Sequence, residues 1–202
     1  MVSQKIDMKT PEIQNIEFMR GILGSDSILE DSRPHIAFVG RSNVGKSSTL
    51  NCLAGRNIAY TSKKPGKTQE INFFLVNDSV YFVDLPGYGY ARISAHEAEK
   101  LRKHMIWYLS ESGVQPRWVV LILDAKVGIT DLDRDMLDIL AGEGHRVLIL
   151  ANKMDKLNQK ESHAALKGIE GDLNEYSLDY TLVPFSAEKK KGREEVLNLL
   201  LT

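Results

Sequence analysis

Gly40-Arg41-Ser42-Asn43-Val44-Gly45-Lys46-Ser47 decides how this chain is read. The spacing G-x-x-x-x-G-K-S is that of a phosphate-binding P-loop. A short apolar run of β type, Ile36-Ala37-Phe38-Val39, leads into it. Ser48-Thr49-Leu50-Asn51-Cys52-Leu53-Ala54 follows and reads as a helix ended by Gly55. A glycine-rich turn can precede a helix by chance, but a strand before and a helix after is the context this motif requires. Gly40 and Gly45 let the backbone curl until its N–H groups face a phosphate. The helix presents its positive end to the same anion. Lys46 adds a charge at the β- and γ-phosphates, and the Ser47 hydroxyl is an oxygen ligand of the kind Mg²⁺ takes.

The chain has 202 residues, enough for one domain with a full core. With 26 Lys and Arg against 27 Asp and Glu, no overall positive charge announces a nucleic-acid binder. Such a role must rest on local patches. A single cysteine, Cys52, excludes an internal disulfide framework and reads as a small core residue. The five histidines are scattered without metal-ligand spacing. No signal pattern and no membrane-length apolar run is present, so the expected location is cytoplasmic.

From His35 onward strands and helices alternate. Strands are expected at 36–39, 71–76, 80–85, 118–123, 147–151 and 180–185. Helices are expected after the P-loop, over 94–109, 131–141 and 158–170, and from Arg193 to Leu201. The run 118–123 is continuously apolar, the mark of a strand buried on both faces. Asn77-Asp78-Ser79 reads as a tight turn joining two strands in a hairpin. The expected fold is α/β: a mixed, mostly parallel six-stranded sheet with helices on both faces, ligands binding beyond the carboxyl ends of the strands. Residues 1–34 read as an N-terminal extension packed on the domain edge. Within it Ile13 to Leu23 shows no clean period and suits an edge strand or a short helix. Ser25 to Pro34 reads as a linker.

Four further motifs fall after the P-loop. Asp84-Leu85-Pro86-Gly87 ends a strand; alone, D-x-x-G is an ordinary turn. Here the Asp84 carboxylate can hold Mg²⁺ opposite Ser47, and Gly87 can offer its N–H to a γ-phosphate. Asn152-Lys153-Met154-Asp155 ends another strand. Its Asp155 carboxylate can accept from guanine N1–H and the exocyclic amine, a donor pair adenine lacks, so adenine leaves the acceptor unpaired. Phe185-Ser186-Ala187 follows the next strand, where backbone N–H groups can meet guanine O6. Between P-loop and hairpin, Gly66, Lys67, Thr68, Gln69 and Glu70 are expected at the nucleotide. Thr68, after a Pro-Gly turn and just before the strand, is preferred over Thr61 as the hydroxyl that closes over Mg²⁺.

In this order the motifs resemble a translation-factor-class GTPase with a Ras-like domain over residues 35–202. Three stretches narrow the resemblance to the EngB family, also called YihA or YsxC. They are Gly40 to Ser48; Lys64-Pro65-Gly66-Lys67-Thr68-Gln69 with Asn72-Phe73-Phe74; and Val83-Asp84-Leu85-Pro86-Gly87-Tyr88-Gly89-Tyr90-Ala91. The resemblance implies a GTPase that assists assembly of the large ribosomal subunit and is needed for normal cell division and septation. It implies Mg²⁺ on Ser47, Thr68 and Asp84. It also implies guanine nucleotide and the large subunit's RNA as partners, with neither a membrane partner nor an oligomer. N-K-M-D stands where many relatives carry T-K-x-D, a mild departure.

Ras-like proteins usually place a water-orienting Gln directly after the D-x-x-G glycine. Tyr88 stands there instead and cannot act as a carboxamide does. Slow intrinsic hydrolysis is therefore expected, resting on Lys46, Thr68, Gly87 and Mg²⁺, with a partner or a monovalent cation supplying the rest. Asn43 suits K⁺, because related GTPases with a P-loop Asn here use it so. The basic groups 63–67, Lys189-Lys190-Lys191 with Arg193, and Arg92, Arg102 and Lys103 are either solvated charge or RNA-phosphate contacts. Trp107 and Tyr108 read as core. The rivals are a P-loop ATPase or small-molecule kinase, against which N-K-M-D argues, and a nucleotide-dependent interaction switch of the division machinery with little hydrolysis.

Overall fold

The computed structural model describes residues 11–59, 70–89 and 94–202. The expected nucleotide contacts Gly66, Lys67, Thr68 and Gln69, the lysines at 63 and 64, and Arg92 lie outside these residues.

One seven-stranded sheet runs through the molecule in the order β1-β3-β4-β2-β5-β6-β7. The strands are β1 (Ile16–Ile22), β2 (His35–Gly40), β3 (Ile71–Val76), β4 (Val80–Asp84), β5 (Trp118–Asp124), β6 (Arg146–Asn152) and β7 (Asp179–Pro184). The pairs β4–β2, β2–β5, β5–β6 and β6–β7 are parallel; β3 pairs antiparallel with both β4 and β1. The hairpin turns at Asn77 and Asp78, both in the left-handed region that such a turn demands.

Strand periodicity sorts the core into two layers. Ala37, Val39, Val119, Leu121, Leu123, Val147 and Ile149 face α2 (Ala95–Ile106), α3 (Asp131–Gly142) and α4 (Gln159–Leu173). Ile36, Phe38, Val120, Ile122, Leu148 and Leu150 face α1 (Lys46–Ala54) and α5 (Arg193–Leu201). Each fully buried Leu, Ile or Val contributes roughly 1.5–3 kcal/mol, so the central strands fix the scaffold on which the loops sit. Beyond α2 a π-helical turn over Trp107–Glu111 brings both Tyr108 and Leu109 into the core.

The seventh strand corrects the expectation of six. Ile16 and Phe18 stand opposite Val76 and Phe74, whereas Arg20 and Ile22 stand opposite Phe73 and Ile71, with the register shifting between Phe18 and Arg20. Such a bulge turns later side chains to the other face. Ile16 accordingly joins the α1/α5 layer and Ile22 the α2/α3/α4 layer. The stretch read as a linker contains a 3-10 turn, Ser27–Glu30, capped by Asp26 and seated by the buried Ile28.

Candidate nucleotide-binding site

Strand β2 sits where the chain's path divides, with β4 on one side and β5 on the other. The P-loop leaves its carboxyl end, at the position where doubly wound sheets bind ligands. Gly40 lies so close to β5 that a Cβ would meet the Ile122 carbonyl at 2.8 Å. Gly45 has φ +103°, and a Cβ there would run into the Asn152 amide. Helix α1 starts directly on Gly45 with no side chain capping it and no acid in its first turn. Its first N–H groups are thus left for an external acceptor.

Lys46 is paired with Asp84, joining the start of α1 to the end of β4; their side chains are 10% and 6% exposed. Leu85, Pro86 and Gly87 continue inward as buried chain, with Leu85 N–H donating to the Phe38 carbonyl at 3.2 Å. Ser47 is half-buried at the α1 start and Ser48 exposed. Glu70 is not brought to this point: its carboxylate lies over Gly21 of β1, and β3 and β4 separate β1 from β2.

The N-K-x-D segment holds the P-loop from behind. Asn152 Nδ2 donates to the Val44 carbonyl at 2.9 Å, and Lys153 Nζ to the Asn43 carbonyl at 2.7 Å. Lys153 also pairs with Asp124 at 2.7 Å. Asn152 Oδ1 accepts from Ala187 N–H at 3.2 Å, so one amide ties the P-loop to the Phe185–Ala187 loop. Met154 N–H donates to the Phe185 carbonyl at 3.1 Å, and the buried Ser186 hydroxyl donates to Asp155 Oδ1. Asp155 is exposed, with its carboxylate oriented by Ser186. Phosphate end and base end are therefore one hydrogen-bonded unit.

Two side chains of the motifs turn elsewhere. Arg41 Nε donates to Asp133 at 3.0 Å, and the Tyr88 hydroxyl donates to the same carboxylate at 2.8 Å. Burial, then the Asp133 charge, pushes the Tyr88 hydroxyl well above its ordinary pKa, so it remains a donor. Sequence reasoning missed Asp124 and Asp133. Asp124 can be found as the polar end of an apolar strand, and Thr130-x-x-Asp133 has the spacing of a helix cap.

Fold and site together define a P-loop GTPase. A family model described as 50S ribosome-binding GTPase (MMR_HSR1) matches residues 35–153. The probable GTP-binding protein EngB of Thermosipho africanus is 40% identical over 190 residues, covering 94% of this chain and 96% of that protein. The probable EngB of Thermotoga maritima is 42% identical over 172 residues, covering 83% and 85%. This chain belongs to the EngB family of GTP-binding proteins. Solved structures share the fold. A probable engB protein matches with TM-score 0.65 at 23% identity, covering 83% of this chain and 96% of that one. Era in complex with MgGDPNP and a 16S ribosomal RNA segment matches with TM-score 0.67 at 24% identity, covering 83% and 55%.

Proposed function

We propose that this GTPase acts as a conformational switch in assembly of the large ribosomal subunit, with its division role following from that work. The observation that carries the nucleotide part is the single unit joining the uncapped α1 start to Asp155. The family's description as 50S ribosome-binding supports the large subunit as partner; the 16S ribosomal RNA bound by Era, a small-subunit RNA, supports only contact with ribosomal RNA. The exposed Lys189, Lys190 and Lys191, beside the base loop, offer phosphate contacts that would report on the nucleotide. Residues 35–202 form the G domain, and the preceding extension adds β1 to its sheet. Among the described residues no helix is long and apolar enough to cross a membrane; a cytoplasmic location is part of the proposal.

Lys46 and Asp84 meet as opposite charges at one point, and a polyanion carrying a cation satisfies both. Lys46 would bind the phosphates, while Ser47, Asp84 and Thr68 would hold Mg²⁺, whose role is to neutralise charge developing on the transferred phosphoryl group. Gly87 would offer its N–H to the γ-phosphate. The segment 66–69 would complete the nucleotide contacts. Tyr88, with its hydroxyl held by Asp133, offers no carboxamide to orient water, so intrinsic turnover would be slow and would wait on a partner or on K⁺ at Asn43. Equal turnover in K⁺ and Na⁺ buffers would remove the cation from this scheme.

Co-sedimentation with purified large ribosomal subunits tests the proposal. Binding with a non-hydrolysable GTP analogue, weaker with GDP and falling steeply between roughly 50 and 200 mM salt, is the expected result. No binding in either state, with guanine nucleotide binding intact, would favour the switch of the division machinery instead.

A further inference from the structure

Asp133 carries more bonds than its place in a helix requires. It is wholly buried, yet it is a carboxylate. Oδ2 accepts from Arg41 Nε at 3.0 Å, from Thr130 N–H at 3.0 Å and from the Thr130 hydroxyl at 2.7 Å; Oδ1 accepts from the Tyr88 hydroxyl at 2.8 Å. The two Thr130 bonds close the start of α3. Helix α4 closes its own start with Asn158 and Glu161 alone, on exposed residues. The Arg41 and Tyr88 bonds are therefore additional to capping. They come from the two loops that flank the phosphate end, one after β2 and one after β4. A buried charge of this kind gives little net stability over an apolar residue of the same size, so its role lies in what it orders.

What it orders is the alignment of those loops. Beyond the strand ends, Arg41 and Tyr88 continue the parallel pairing of β2 and β4. Ser42 N–H donates to the Tyr88 carbonyl at 2.7 Å, and Tyr88 N–H reaches the Gly40 carbonyl at 3.4 Å. Gly87 precedes Tyr88 in the chain, so whatever fixes Tyr88 also fixes the Gly87 N–H. We propose that Asp133 is a positioning residue for GTP hydrolysis: through Arg41 and Tyr88 it sets the D-x-x-G segment against the P-loop, and thereby the Gly87 N–H against the γ-phosphate. The inference rests on the functional reading above. It also makes the α3 start a part that senses whether a γ-phosphate is held.

Tyr88→Phe tests it by removing one hydroxyl and keeping the ring. GDP affinity stays within about twofold, because the groups that bind GDP are elsewhere. Affinity for a non-hydrolysable GTP analogue falls about 5-fold, and single-turnover hydrolysis about 10-fold, the effect of removing one hydrogen bond to a charged group. Tyr180→Phe, which removes a hydroxyl bonded only to the remote Asn174, changes none of these. Asp133→Asn gives the same pattern, larger, because Arg41 is also deprived of its ion pair. If Asp133→Asn does not fold, Tyr88→Phe still decides. Unaltered hydrolysis in Tyr88→Phe, or an equal drop in GDP and analogue affinity, overturns the inference. Wild-type protein that bound no guanine nucleotide would instead overturn the functional reading on which it rests.

Discussion

Helices α1 and α3 both start beside the phosphate end of the sheet, and they start in opposite ways. The α3 start is completed from within: Asp133 reaches back to Thr130, and Asp131 and Asp133 place two acids in the first turn. The α1 start has a glycine where a cap would stand and Lys46 and Ser47 where acids would be. A helix N-terminus carries roughly half a positive charge, and at α1 nothing in the protein's own first turn answers it. Helices α2 and α4 follow α3 with side-chain caps. Helix α5 also starts on a glycine, but Glu194 and Glu195 supply the negative charge. The difference separates a helix start built for the fold from one built for a phosphate. Asp133 joins the two, since it also holds Arg41 of the P-loop.

Breaking the open start should have the largest effect. Lys46→Ala should lower guanine nucleotide affinity at least 100-fold, roughly 3 kcal/mol for removing charge-assisted hydrogen bonds to the phosphates; titration of a fluorescent GDP measures it. The same change strands the buried Asp84, so the protein should also unfold at lower denaturant.

A site at the other end of β2 separates general stability from the two helix starts. His35 is buried against Tyr108, its Nδ1 2.9 Å from that hydroxyl, and burial pushes its pKa down to about 4. The unfolded chain, with an ordinary histidine near 6.5, binds more protons between those values. Stability should therefore be complete above about pH 6.5 and fall as pH drops toward 4, by up to about 3 kcal/mol. Urea denaturation at several pH values measures this, and His35→Gln should remove most of the slope without touching the contrast between α1 and α3.

Gly45→Ala tests the geometry of the open start. The left-handed backbone and the encroaching Asn152 amide together should cost about 2 kcal/mol of stability, read by denaturant unfolding. The smallest and sharpest change is Ser48→Glu, which gives α1 the first-turn acid that the other helices possess. Without nucleotide the protein should gain about 0.5 kcal/mol in thermal unfolding. GDP affinity should fall about 10-fold, because the added charge competes with the phosphates. A gain in both quantities would break the contrast.

Much of this was legible because it is local. The P-loop spacing lies within eight residues, and the apolar runs of β5 and β6 announce strands buried on both faces. The N-K-x-D and D-x-x-G segments take their meaning from the strand each one ends. Strand β1 was ambiguous for a physical reason: its bulge changes which residues face inward half-way along, so neither a strand nor a helix period runs through it. The Asp133 junction was hidden by distance. Its partners stand 92 and 45 positions away, at Arg41 and Tyr88, and no pattern in the chain connects them. The grip of Asn152 on Val44 spans 108 positions and became visible only with the fold. Glu70 followed its motif in sequence but turned toward β1, because β3 starts immediately after it and runs beside that edge strand.

The most direct test of the account is competition for the bound nucleotide. Fluorescent GDP is held on the wild-type protein and on Asp155→Asn, then challenged with GDP, ADP and XDP. On the wild type, GDP should displace the probe and ADP should fail at about 100-fold excess, since adenine leaves the Asp155 carboxylate unpaired. In Asp155→Asn, XDP should become the better competitor, because the new amide can donate to the carbonyl that xanthine carries in place of the guanine amine. Equal displacement by ADP and GDP on the wild type would contradict the assignment of Asp155 as the guanine reader, and with it the joined phosphate and base site.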